Sequence, residues 1–165
     1  MTVLRFGILT VSDRSARGER PDASGPALVE VIESQGWQVT QQRVLPDDLR
    51  ELRQALSEWA DESALDVILT TGGTGFSPRD VTPEATLSVI ERQAPGLAEA
   101  MRAEGLAKTP HAMLSRAVAG IRARTLIINL PGSPKGAVEN LKVVLPVLAH
   151  AVELLREDPQ AEAHH

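Results

Sequence analysis

Hydrophobic and polar positions alternate between two regimes along the chain. Short apolar runs occupy Val3–Val11, Trp37–Leu45, Asp66–Thr71 and Thr125–Leu130. Between them, apolar residues recur at helical spacing, as in Leu28, Val31 and Ile32, or Leu49, Leu52, Leu56 and Trp59 on one face. Runs that are apolar throughout suit strands buried on both faces of a parallel sheet. The spacing further predicts helices over Pro83–Arg92, Pro95–Ala107 and Ala137–Arg156, with Pro146 kinking or dividing the last, and a short helical piece at Pro110–Leu114. Ser115–Gly120 reads as a strand paired with Thr125–Leu130 through a turn at Arg122–Arg124. Strands that alternate with helices define an α/β protein with a mostly parallel, doubly wound sheet and one antiparallel member.

The junctions carry the chemistry. Val67–Thr71 stops abruptly at Gly72–Gly73–Thr74–Gly75, where glycines let a backbone approach a ligand and aim N–H groups at it. Valine at these glycines is therefore expected to impair binding more than folding. Pro78 and the residues around it break both the dinucleotide fingerprint and the P-loop pattern. Thr82 is the expected N-cap of the next helix, with Pro83 in its first turn, which leaves Asp80 without a capping duty. Ser12–Ala23 is a long polar loop, and Ser24 is placed to cap the helix after it. Either Asp47 or Asp48 can cap the helix that follows, Asp48 with Glu51 resembling a capping box. Ser133 with Pro134 starts the last helix. In a parallel sheet the loops at Asp13–Ser15, Asp47–Asp48, Gly72–Asp80 and Pro131–Lys135 share one edge. Helix N-termini there favour phosphate, and carboxylates beside phosphate commonly hold Mg²⁺.

Composition narrows the functions. The chain has 165 residues, enough for one core, and 42% of them are hydrophobic. A net charge of −5 and 2% aromatic content argue against nucleic-acid binding. Without cysteine there is no disulfide, zinc–thiolate centre or thiol nucleophile. No signal peptide or apolar span of membrane length is seen, which points to the cytoplasm and away from membranes. Residues 1–157 read as one domain and 158–165 as a loose polar tail ending in His164–His165.

Taken together, the motifs resemble one family. Thr70–Gly75 followed by Arg79–Thr86 is similar to the MogA-type molybdopterin adenylyltransferases and the gephyrin G domain. Val11–Arg14, Val44–Asp48, Leu114–Ala117 and Asn129–Pro134 extend the resemblance over nearly the whole chain. It implies a three-layer α/β/α fold, often a homotrimer, and adenylylation of molybdopterin by Mg-ATP with release of pyrophosphate. Asp47 and Asp80 would be the catalytic, metal-holding pair. Ser12, Asp13, Thr71, Gly72, Gly73, Thr74, Gly75, Ser115, Arg116, Pro131, Gly132 and Ser133 would bind ATP and molybdopterin. A molybdenum-insertion protein would be the downstream partner. Sister MoaB-type proteins share the Ser115–Gly120 segment and the Pro131–Ser133 turn, so a non-catalytic binder stays open, as does a scaffold module. The Arg79–Asp80–Val81–Thr82–Pro83 form looks more like the catalytic branch.

Overall fold

In a computed structural model, residues 2–164 are described. The strands are β1 (Arg5–Val11), β2 (Gln38–Leu45), β3 (Val67–Thr71), β4 (Arg92–Gln93), β5 (Ala119–Arg122) and β6 (Thr125–Leu130). The helices are α1 (Asp13–Ala16), α2 (Ser24–Ser34), α3 (Leu49–Glu62), α4 (Thr82–Val89), α5 (Pro95–Leu106) and α6 (Pro134–Leu155). One sheet runs in the order β2-β1-β3-β6-β5-β4. Pairing is parallel from β2 through β6 and antiparallel on both sides of β5, so β5 alone opposes the rest.

The two faces of each central strand explain the layers. Phe6, Ile8, Val67, Leu69, Leu126 and Ile128 pack under α2, α5 and α6. Leu9, Val11, Ile68 and Ile127 point the other way, onto Leu52, Leu56 and Trp59 of α3 and Ala85 and Val89 of α4. Side chains alternate sides along a strand, so unbroken apolar runs feed two cores at once. The result is the expected three-layer α/β/α sandwich.

Several boundaries differ from the sequence reading for definite reasons. Residues 12–23 are not all loop: Ser12 Oγ accepts from the Ser15 amide at 3.2 Å and starts the single turn α1. Ser24 does not cap α2; it is the first helical residue after Ala23, and Asp22 Oδ1 accepts from the Gly25 amide at 3.0 Å. Thr82 lies inside α4 rather than capping it, and its hydroxyl donates to Gly72 O at 2.9 Å. That helix stops at Val89 because Ile90 turns extended and leads into β4. Residues 115–118 precede β5: the Arg116 amide donates to Thr74 O and the Val118 amide to Asn129 Oδ1. Arg122 belongs to β5, leaving Ala123–Arg124 for the turn. α6 runs undivided through Pro146, which is exposed along with Lys142, whose carbonyl loses its helical donor and can meet water. Ser133 and Pro134 open α6 as expected, with Ser133 Oγ accepting from Gly136 N at 3.1 Å. After α6 the chain forms a short 3₁₀ turn over Ala161–His164 that buries Ala161; His165 of the tail lies outside the described residues.

One buried polar residue ties the layers beneath the glycine turn. Asn129 is 0% exposed and donates to Thr70 Oγ1 and Thr86 Oγ1, both at 2.9 Å. Its own Oδ1 accepts from the Val118 amide at 3.2 Å. Asn129→Ala strands these partners in the interior, where each unmade bond costs about 1–3 kcal/mol. The variant is expected to lose about 2–4 kcal/mol, or roughly 5–15 °C in Tm. Urea and thermal unfolding check this; a loss under about 0.5 kcal/mol, the scale of ordinary surface changes, would remove the network from the account.

Candidate active site

Topology fixes where ligands go. From β1 the chain moves outward to β2, then returns through α3 to β3 on the other side of β1. β1 and β3 therefore flank a switch point, and crevices form beyond the carboxyl ends of such strands. β1 ends at Val11 and β3 at Thr71, and a cavity of about 620 Å³ opens beyond both.

The glycine turn is held by its neighbours. The Gly72 amide donates to Leu130 O at 3.0 Å, and Thr71 Oγ1 donates to Pro131 O at 2.8 Å. Gly72 and Gly73 have φ of +106° and +70°, the left-handed region that disfavours side chains. A Cβ on Gly72 would sit 2.2 Å from Val11 O. On Gly73 it would meet Thr82 Oγ1 at 2.3 Å and Asp47 Oδ1 at 3.0 Å. The glycines are thus required first by close crossing of the β1, β3 and β2–α3 segments.

The residues singled out in the sequence separate into three places. Ser12, Asp47, Thr71, Gly72, Gly73, Asp80, Gly132 and Ser133 line the 620 Å³ cavity. Thr74, Gly75, Ser115 and Pro131 line a second cavity of about 400 Å³ next to α5, and Ser133 borders both. Asp13 and Arg116 line neither; Asp13 pairs with Arg79 and Arg116 with Glu84. The sequence reading passed over Arg20 and Asp22 at the first cavity and named Ser15 only as part of the Asp13–Ser15 loop. At the second it passed over Arg102, Lys108, His111 and Asn140. The length of the 12–23 loop was the available signal for the first group. The second group comes from the two segments that fold over Thr74–Gly75, which no local motif announces.

The two central carboxylates are free of capping. Asp48 caps α3, its Oδ1 accepting from the Glu51 amide at 2.9 Å, so Asp47 faces the cavity. Asp47 and Asp13 exchange backbone-to-carboxylate bonds, Asp13 N to Asp47 Oδ2 at 3.1 Å and Asp47 N to Asp13 Oδ1 at 3.0 Å. Arg79 grips Asp13 with both arms at 3.0 and 2.9 Å and holds that carboxyl below its usual range. Burial pushes the Asp47 carboxyl up; the Asp13 amide opposes this, and the charges of Asp13 and Asp80 add to the rise. Asp80 folds back on its own loop, Oδ2 accepting from the Ser77 amide at 3.1 Å.

This donor set suits a hard divalent cation. Asp47 Oδ1 and Asp80 Oδ1 accept no hydrogen bond among the described residues, and both side chains line one cavity. No cluster of three acidic, histidine or cysteine side chains that could hold a metal ion is found among the described residues. Mg²⁺ characteristically takes one or two carboxylates and completes its shell with water and substrate phosphate. Two carboxylates on one open crevice match that demand.

Asp47 also predicts a pH response. Its folded-state pKa is raised, so the native protein holds that proton more tightly than the unfolded chain. Stability from this group is full at low pH and falls as pH rises through the ordinary carboxylate range toward the raised value. Asp47→Asn removes the strain, so without divalent cation the variant should match or exceed wild-type Tm at pH 7. The gap should close on acidification. Thermal melts between pH 4 and 8 check this, and a variant less stable than wild type at pH 7 would contradict it.

The fold and this site define an α/β protein with a glycine-walled crevice at its switch point. The chain belongs to the probable molybdopterin binding domain family, which matches residues 7–150. Gephyrin of Dictyostelium discoideum is 46% identical to it over 94% of this chain, which spans only about a quarter (23%) of gephyrin's length. A molybdopterin adenylyltransferase of Helicobacter pylori is 40% identical over 94% of this chain and 89% of its own. The crystal structure of the molybdopterin biosynthesis enzyme MoaB from Thermus thermophilus superposes with a TM-score of 0.90. It is 54% identical and covers 95% of this chain and 99% of that one. The family expected from the motifs is the family found.

Proposed function

We propose that this chain adenylylates molybdopterin in molybdenum cofactor biosynthesis, using Mg-ATP and releasing pyrophosphate. The observation that carries the reading is the pair Asp47 and Asp80, free of caps, on a cavity walled by Gly72, Gly73 and Gly132. Relatives of comparable length named for this activity, such as the Helicobacter enzyme, support it.

The chemistry asks for positioning rather than a side-chain nucleophile. A phosphate monoester has a second pKa of about 6 and is largely dianionic at pH 7. An oxygen of the pterin phosphate bonds to the α-phosphorus of ATP. The bond from that phosphorus to the bridging oxygen breaks, and its electron pair leaves with pyrophosphate. Amides of the glycine turn beyond Gly72, whose own is taken by Leu130 O, and the N-terminus of α6 orient phosphate oxygens. Asp47 and Asp80 would hold Mg²⁺, which when bound neutralises phosphate charge. Thr71, bonded to Pro131 O, and Gly72, bonded to Leu130 O, tie the glycine turn to the end of β6 and the residue after it. Ser12, Ser115 and Ser133 complete the proposed binding surroundings, with Asp13 and Arg116 standing outside both cavities.

The reading extends to a homotrimer in the cytoplasm that passes its product to a molybdenum-insertion protein. No helix among the described residues is long and apolar enough to cross a membrane. Sedimentation giving about three times 17.7 kDa supports the trimer, and a monomer at micromolar concentration opposes it. A second reading, a MoaB-type binder without turnover, is kept because the Thermus structure, 54% identical, bears the MoaB name, although that protein is called an enzyme. Incubation with molybdopterin and Mg-ATP separates the two: adenylylated pterin with pyrophosphate supports the enzyme, and pterin binding without either supports the binder.

A further inference from the structure

We propose that Arg116 is a positioning residue that fixes the Asp80 loop, rather than a contact for the ligand's phosphate; the proposal rests on the role given to Asp80 above. Its side chain spans both ends of the segment between the glycine turn and α4. Nε donates to Gly75 O at 2.7 Å and Nη2 to Asp80 O at 2.8 Å. Nη1 reaches both Glu84 oxygens, at 3.0 and 2.8 Å, in the first turn of α4. The Arg116 amide adds a fourth grip, on Thr74 O at 2.8 Å. Most of the guanidinium's five N–H groups are thus spent inside the protein. Arg116 lines neither cavity, so it has little left to offer a phosphate.

The loop needs such a clamp. Phe76 at its tip is 68% exposed and contributes no core packing. Within the loop, only the paired bonds between Ser77 and Asp80 give it shape. The Arg79–Asp13 fork tethers it on one side through the Arg79 side chain alone, without holding the loop's backbone. Arg116 is the tether on the other side, and its fork holds the backbone of Asp80 itself. A planar fork reaching three acceptors is something arginine does and lysine does not.

Hydrogen exchange with mass spectrometry, followed over residues 75–82, tests this alongside steady-state kinetics. Arg116→Met should speed exchange in residues 75–80 by about tenfold or more while β3 and β6 stay protected. In adenylylation, kcat should fall by about tenfold or more with the KM for molybdopterin within about threefold. Arg116→Lys should restore neither. Unchanged exchange with a KM raised tenfold, or near-full rescue by lysine, would overturn the proposal in favour of a direct phosphate contact. Should Arg116→Met not fold, Arg116→Lys decides. It keeps the charge, loses the fork onto Gly75 O and Asp80 O and should still speed exchange at 75–80, and wild-type exchange in it would overturn the clamp. Because exchange needs no substrate, absent activity in the wild type would sink the functional reading and leave this test standing.

Discussion

Asp80→Asn is expected to lower adenylyl transfer by about 10²-fold or more, the scale seen when a stabiliser of transition-state charge is lost. The substitution preserves shape and removes charge. The Ser77 amide can still be accepted by the amide oxygen of asparagine, so the loop keeps its local bond. Asp80 caps no helix, and α4 begins with Val81 at its cap position without a side-chain bond. Stability should therefore change by less than about 0.5 kcal/mol, as for a surface position. Molybdopterin affinity should stay within a few-fold, because backbone amides and neighbouring loops provide most of the grip. Single-turnover adenylylation at saturating pterin, beside pterin affinity and Tm, separates these quantities. Wild-type turnover in Asp80→Asn would remove the metal-holding role from this residue.

Gly72→Val should damage the fold itself. The sequence suggested that valine at any of the three glycines would impair binding before folding, and the structure corrects this for Gly72. Its Cβ would lie 2.2 Å from a backbone carbonyl of β1, at a φ of +106°. Backbone cannot move aside as a flexible side chain can. Overpacking costs about 1–3 kcal/mol and the left-handed conformation about 1–2 more. A loss of roughly 3 kcal/mol or more is expected, about 6–15 °C in Tm for a chain of this size. Gly75→Ala is the informative partner. Gly75 has an ordinary φ and its Cβ would meet only Asp80 Oδ2, at 3.0 Å. That variant should melt within about 2 °C of wild type while disturbing the carboxylate, a perturbation of the site without a lesion of the core. Normal melting of Gly72→Val would contradict the crossing described here.

How much of this was legible in the sequence follows from range. β6 was legible residue for residue, and β3 to within one position, because both faces of each are buried and neither strand's run carries a charged residue. The glycine turn was legible because it ends such a run. Thr82 misled because a threonine before proline looks like a cap, whereas its hydroxyl is taken by Gly72 O, ten residues back. Ser115–Val118 misled because its alternation is that of a strand, while its amides are claimed by Thr74 O and Asn129 Oδ1. β4 has two exposed polar residues and no apolar signal at all. Which of Asp47 and Asp48 faces the cavity was undecidable locally, since either suits the cap. The Arg79–Asp13 and Arg116–Glu84 pairs join positions 66 and 32 residues apart, beyond any motif. Legible features were those fixed by burial and local turn chemistry, and hidden ones depended on long-range hydrogen bonds.

The most direct test of the central claim is phosphate tracing with wild-type protein, molybdopterin and Mg²⁺. ATP labelled at the α-phosphate and ATP labelled at the γ-phosphate are supplied in separate reactions. The account predicts that α-label appears in the pterin product and γ-label in pyrophosphate, in equal amounts and only when molybdopterin is present. Molybdopterin that binds to the folded protein while both labels remain in ATP would contradict it.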